Sequence, residues 1–82
     1  MTDIVHTRVT ADRHTTAAGT VVHNVRVNGE VIATRRSAHS YNWCFVKRAG
    51  RGDDGAMRWN VTRWSRNSAK RGDEGQIRVM DQ

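Results

Sequence analysis

The 82-residue sequence predicts a mainly β fold: a small antiparallel curved sheet or barrel of about five to six strands, with room for one short helix, in a single domain over residues 1–82. Three observations lead there. Short segments rich in Val, Thr, Trp and Tyr alternate polar and apolar residues with the period of two that half-buried strands require. Seven glycines and no proline punctuate these segments at intervals that suit strands and turns. No stretch sustains the i, i+3, i+4, i+7 spacing of an amphipathic helix.

Taken in order, the strands are predicted near residues 3–9, 20–27, 30–36, 41–48, 57–64 and 76–80. Short helical stretches are predicted at Thr10–Ala18, opened by Thr10 and Asp12, and at Ser65–Arg71, where Ser65 can cap a turn. The sharpest local signal is Val25-Arg26-Val27-Asn28-Gly29-Glu30-Val31-Ile32. Asn-Gly between alternating apolar residues is the preferred type I′ hairpin, because both central residues need positive φ. Counting outward from the turn sets Val27 against Glu30, Arg26 against Val31, Val25 against Ile32 and His23 against Thr34. One face then carries Val21, His23, Val25, Val27 and Ile32, and the other Asn24, Arg26 and Arg35. The segments Ala49–Arg58 and Ala69–Arg78 echo each other at a separation of twenty residues, each a polar glycine loop followed by an apolar residue and an arginine. Both are read as hairpin connections, and two copies are too few for a solenoid. Their Arg-Gly-Asp triplets read as acid-glycine turns.

Size and composition exclude several functions. A chain of 82 residues holds one modest core and no large enzyme cleft. No run reaches the ~20 apolar residues of a membrane span, and the N-terminus lacks the features of a signal peptide. The single Cys44 forms no internal disulfide, so a cytoplasmic protein is expected and the Asn60-Val61-Thr62 sequon is incidental. Cys44 and His6, His14, His23 and His39 lack paired metal-ligand spacing, so no metal or other cofactor is expected. His23, on the apolar hairpin face, reads as a satisfied core histidine. No local motif joins Cys44 or Ser40 to a histidine as a nucleophile, and the acidic pairs lie in solvated turns. The chain is therefore read as non-enzymatic.

Charge carries the positive evidence. The net +6 arises wholly from residues 35–82, where eleven Arg or Lys face five Asp or Glu, and twelve of the fourteen basic residues in the chain are Arg. Arginine's planar fork suits phosphate and carboxylate, so an anionic partner is favoured. In the last three strands Tyr41, Trp43, Phe45, Met57, Trp59, Val61, Ile77 and Val79 share the expected core face. The opposite face carries Asn42, Cys44, Arg48, Arg58, Asn60, Thr62, Trp64, Arg66 and Arg78. Cations around one outward tryptophan fit a sheet on which bases stack while arginines take phosphates, with a single strand or RNA favoured. The expected contacts are Arg35, Arg36, Arg48, Arg58, Trp64, Arg66 and Arg78. Two alternatives stay open: Trp64 is covered by the 65–71 segment or an N-terminal strand, and the arginines merely solubilise a β surface.

The stretch Val31-Ile32-Ala33-Thr34-Arg35-Arg36-Ser37-Ala38-His39-Ser40-Tyr41-Asn42-Trp43-Cys44-Phe45-Val46 resembles a strand, basic corner, strand pattern in small proteins of actinobacterial phages and mobile elements. The resemblance implies a protein that acts by binding a host or viral macromolecule. The expectation is a nucleic-acid-binding accessory module. The alternatives are an interaction module or inhibitor that docks on a host protein, through the same surface or an exposed edge strand, and a structural subunit that forms a homo-oligomer.

Overall fold

The computed structural model describes residues 8–82, and the part of the predicted first strand before Arg8 lies outside them. The fold is all-β. Among the described residues six strands run β1 (Val9–Thr15), β2 (Val21–Val27), β3 (Glu30–Ser37), β4 (Trp43–Arg51), β5 (Met57–Ser65) and β6 (Gly75–Asp81). They form one sheet in the order β3-β2-β1-β6-β4-β5, curled into a nearly closed barrel. Neither predicted helix forms: residues 10–15 extend β1, and residues 66–74 are an irregular connection.

The sheet is mixed. β1, β2 and β3 form an antiparallel meander, β4 pairs antiparallel with both β5 and β6, and β6 joins the two units by running parallel to β1. Because β6 pairs with β4 and not with β5, the second glycine-rich copy is no hairpin turn. The 66–74 connection must return alongside the sheet before β6 can begin.

The Asn28-Gly29 turn forms as expected, with φ of 52° and 87° at its two residues. Val27 faces Glu30 and Arg26 faces Val31, but Val25 then pairs with Ala33 and His23 with Arg35. Ile32 is the extra residue of a β-bulge, which moves it from the expected core to 43% exposure.

A second bulge changes the reading at the end of β5, and β4 runs in the opposite phase to the one expected, while Ile77 and Val79 on β6 face inward as expected. Phe45 pairs with Arg63 and Val46 with Val61, so Thr62 is the extra residue on β5. The alternation of β5 changes phase there: Trp59 and Val61 face inward, and beyond Thr62 so does Trp64. On β4 the even residues Cys44 and Val46 join Ala11, Val25 and Val79 in the core, flanked by Val9, Ala33 and Ile77. Trp43 and Phe45, expected inside, therefore lie on the outer face.

Phe45 is nonetheless fully buried, beneath the Arg63 side chain that the 66–74 connection holds in place. The Arg63 guanidinium sits 3.8 Å from the Phe45 ring centroid. Its Nε and Nη2 donate to Glu74 Oε2 at 3.3 and 3.2 Å, and Nη2 also donates to the Ala69 carbonyl. Thr62 Oγ1 donates to Glu74 Oε1 at 2.9 Å and the Arg71 amide to Oε2 at 3.3 Å. Burial alone raises the pKa of Glu74, but the hydrogen bonds from Arg63 and Thr62, the Arg63 charge and the Arg71 amide together hold it below the usual value.

Candidate functional site

Two places concentrate chemistry. The first is the outer face of β6, β4 and β5. Trp43, half-buried, stands directly between Ser65 on β5 and Arg78 on β6. The Arg78 guanidinium lies 5.8 Å from the Trp43 ring centroid, within cation–π reach. Lys47 and Asn60 continue the face as a paired position, and Arg58 follows on β5.

The second place is the seam where the barrel fails to close. The edge strands β3 and β5 flank a cleft of about 490 Å³. β3 contributes Ala33, Thr34 and Arg35; β5 contributes Val61, Thr62, Arg63 and Trp64; Tyr41 lines it from the connection between β3 and β4. His23 holds this group together from beneath. Its ring is fully buried, 5.4 Å from Tyr41 and 5.2 Å from Trp64 between ring centroids. Nε2 accepts the Tyr41 amide at 3.0 Å, so the ring proton belongs on Nδ1, which faces the Arg35 carbonyl at 3.4 Å. Arg13 fixes the same connection from β1, donating to the Tyr41 carbonyl at 2.6 Å and to Asn42 Oδ1 at 3.0 Å while pairing with Asp81 at 2.6 Å.

The seven contact residues expected from the sequence fall in different places. Arg35 and Trp64 meet in the cleft, where the Arg35 guanidinium lies 5.4 Å from the Tyr41 centroid. Arg36 is exposed on β3 opposite Val22. Arg78 stands on the outer face beside Trp43, and Arg66 follows the end of β5, its carbonyl accepting from Asn42 Nδ2 at 3.4 Å. Arg48 and Arg58 lie on the ribbon that β4 and β5 form beyond the last β6 pairing at Val46. Arg58 and Trp64 stand six positions apart on one strand, about 20 Å. Arg48 lies 5.7 Å from the Trp59 centroid and Arg58 is 3.9 Å from Asp54.

Trp64 is thus not the outward stacking residue. The bulge at Thr62 turns it toward the core, and Trp43 takes the outward position because Cys44 and Val46 are the inward residues of β4. Sequence reasoning also passed over Tyr41 and Arg63 as cleft residues. Nothing in Val61-Thr62-Arg63-Trp64 marks a bulge, since no glycine is present to announce one.

Among the described residues, no cluster of three His, Cys, Asp or Glu is placed to hold a metal ion, and no helix is long and apolar enough to cross a membrane. Cys44 is fully buried and burial pushes its thiol up to about 12, far from a reactive thiolate. Compared with known proteins, the chain matches no family model, no curated protein and no solved structure.

Proposed function

We propose that the protein is a nucleic-acid-binding module, not a catalyst, whose outer β6-β4-β5 face takes a single strand. The observation that carries this reading is Trp43, accessible on that face and set in register beside Arg78. A base stacks on the indole or on the guanidinium beside it, and Arg78, Arg66 and the ribbon cations Lys47 and Arg58 take phosphates. Among the described residues no carboxylate lies within 4.0 Å of Arg66 or Arg78, so both charges are uncommitted. The net charge of +6 supplies long-range attraction to a polyanion.

Fluorescence-anisotropy titrations against labelled single-stranded DNA, duplex DNA and RNA at two salt concentrations test this. The expected result is tighter binding of a single strand, falling steeply with salt. Trp43→Ala should weaken it by about 5- to 150-fold, the loss of one stacked base at roughly 1–3 kcal/mol. Arg78→Ala should reduce the magnitude of the log–log salt slope by about 0.7. Trp64→Ala should act differently, destabilising the fold by about 2–4 kcal/mol because the ring packs on the core. Equal, weak binding of all three nucleic acids, or binding indifferent to Trp43→Ala, would sink the reading.

A further inference from the structure

The seam between β3 and β5 points to a different partner. In the sheet order both are edge strands, each paired on one side only among the described residues. Each therefore presents a row of main-chain N–H and C=O groups to the cleft, a template for another strand. The pairings also fix their directions. β3 runs with β1 through two antiparallel steps, β6 runs with β1, and β5 runs with β6 through two more. β3 and β5 thus point the same way across the gap, and one inserted strand can be antiparallel to both.

We propose that this seam is a docking site for an extended peptide segment of a partner protein, which enters as a seventh strand and closes the barrel. The side chains of the seam define its chemistry. The floor is apolar, with Ala33 and Val61 beside Trp64, so inward-facing guest residues are apolar at alternate positions. Among the described residues two arginines and no carboxylate line the cleft. Arg63 is neutralised by Glu74 at 3.2 Å, which leaves Arg35 to be matched by an acidic guest residue. Toward the start of β3 the edge exposes Val31 and Ile32, each 43% accessible, which favour apolar contact. Since the guest runs against β3, its acidic residue precedes its apolar ones. The expected pattern is Asp or Glu followed by Val, Ile or Leu at alternate positions. Such an arrangement combines main-chain hydrogen bonding for affinity with side-chain pockets for specificity.

The test begins with selection of a random ten-residue peptide library against the intact protein. Enrichment of an acidic residue N-terminal to alternating apolar residues is expected; no enrichment, or a basic consensus, overturns the proposal. A labelled synthetic peptide of the enriched sequence is then titrated by anisotropy. Arg35→Glu should weaken it at least tenfold with thermal unfolding unchanged, and an unchanged affinity overturns the charge assignment. N-methylation of alternate peptide nitrogens separates insertion from simple edge pairing. In a strand held on both sides, methylating either alternate set should reduce affinity at least tenfold; sensitivity to one set alone would mean pairing with one edge and would overturn closure of the barrel. Displacement of the peptide by oligo(dT) from the Trp43→Ala variant would assign the seam to nucleic acid. Self-association that the peptide blocks would assign it to a second copy. Either result refutes a partner peptide as the occupant, and neither depends on whether Trp43 binds a nucleic acid.

Discussion

At His23 the fold relies on a neutral imidazole. Burial lowers its pKa from 6.5, the Arg13 and Arg35 charges lower it further, and backbone hydrogen bonds to Arg35 and Val21 oppose them only in part. The protonated ring would set an N–H against the Tyr41 N–H that Nε2 now accepts. Because the folded value lies below the unfolded one, the unfolded chain binds the proton first as pH falls. The neutral-ring contribution is therefore complete above about pH 6.5 and is lost progressively from there down to the folded pKa. Urea denaturation at pH 7.5 and 5.5 should show lower stability at the acid pH. His23→Gln, which keeps an acceptor but cannot titrate, should flatten that difference, and an unflattened profile would place the acid sensitivity elsewhere. Cys44 makes a second prediction at this scale. A fully buried thiol with its pKa pushed up to about 12 is both inaccessible and protonated. Iodoacetamide at pH 8 should reach Cys44 only through global opening, so its labelling should be slow in the native protein and accelerate in step with added denaturant.

Among the elements, the β2–β3 hairpin was the most legible in sequence, because Asn28-Gly29 requires a backbone conformation that few other pairs adopt. Gly29 sits at φ 87° in open space, so a methyl group added there meets no neighbour and the cost of Gly29→Ala is purely conformational. That substitution should destabilise by about 1 kcal/mol in equilibrium denaturation, and a neutral result would argue that the turn relaxes. Asn28 contributes differently, since its Oδ1 accepts the Arg8 amide at 2.9 Å and ties the start of β1 to the turn. The positions of β2 to β6 were legible for a different reason, since period-two alternation survives in Trp59–Val61 and Ile77–Val79, whereas β1 falls on Val9–Thr15, where a helical stretch was expected. The face assignment was not legible beyond a bulge, because one inserted residue inverts every later side chain while leaving the alternation itself intact. Ile32 and Thr62 are such residues, and both are ordinary β formers with no local sign of their role. The candidate site suffered accordingly. Trp64 turned inward beyond Thr62, Trp43 lay outward because Trp43-Cys44-Phe45-Val46 is apolar at every position and marks no face, and the arginines expected on one surface divided among the cleft, the outer face and the ribbon. The seam could not be foreseen at all, since it depends on β6 pairing with β1 across the length of the chain.

For the molecule as a whole, that pairing is the point on which cooperativity turns. β1, β2 and β3 form one antiparallel unit, β4 and β5 another, and β6 is the strand between them. It meets β1 at Ala11–Val79, Asp12–Met80 and Arg13–Asp81, and β4 from Trp43–Arg78 to Val46–Gly75. Val79 is 4% exposed and belongs to the common core, while Asp81 holds Arg13, which in turn holds the Tyr41–Asn42 connection. Contacts that join residues this far apart in sequence make folding slow, because the closure entropy must be met before they form. They also make the two halves one cooperative unit. All three tryptophans, Trp43, Trp59 and Trp64, lie on β4 and β5, so their fluorescence reports one half and backbone circular dichroism reports both. In the intact chain the two probes should give coincident denaturation curves. Val79→Asp buries an unpaired charge at the junction, and removal of residues 75–82 deletes the strand outright. Either change should separate the two curves or abolish the cooperative transition altogether. Coincident, sharp transitions in the truncated chain would mean that the two units hold together without β6, and the strand between them would then not be the source of cooperativity.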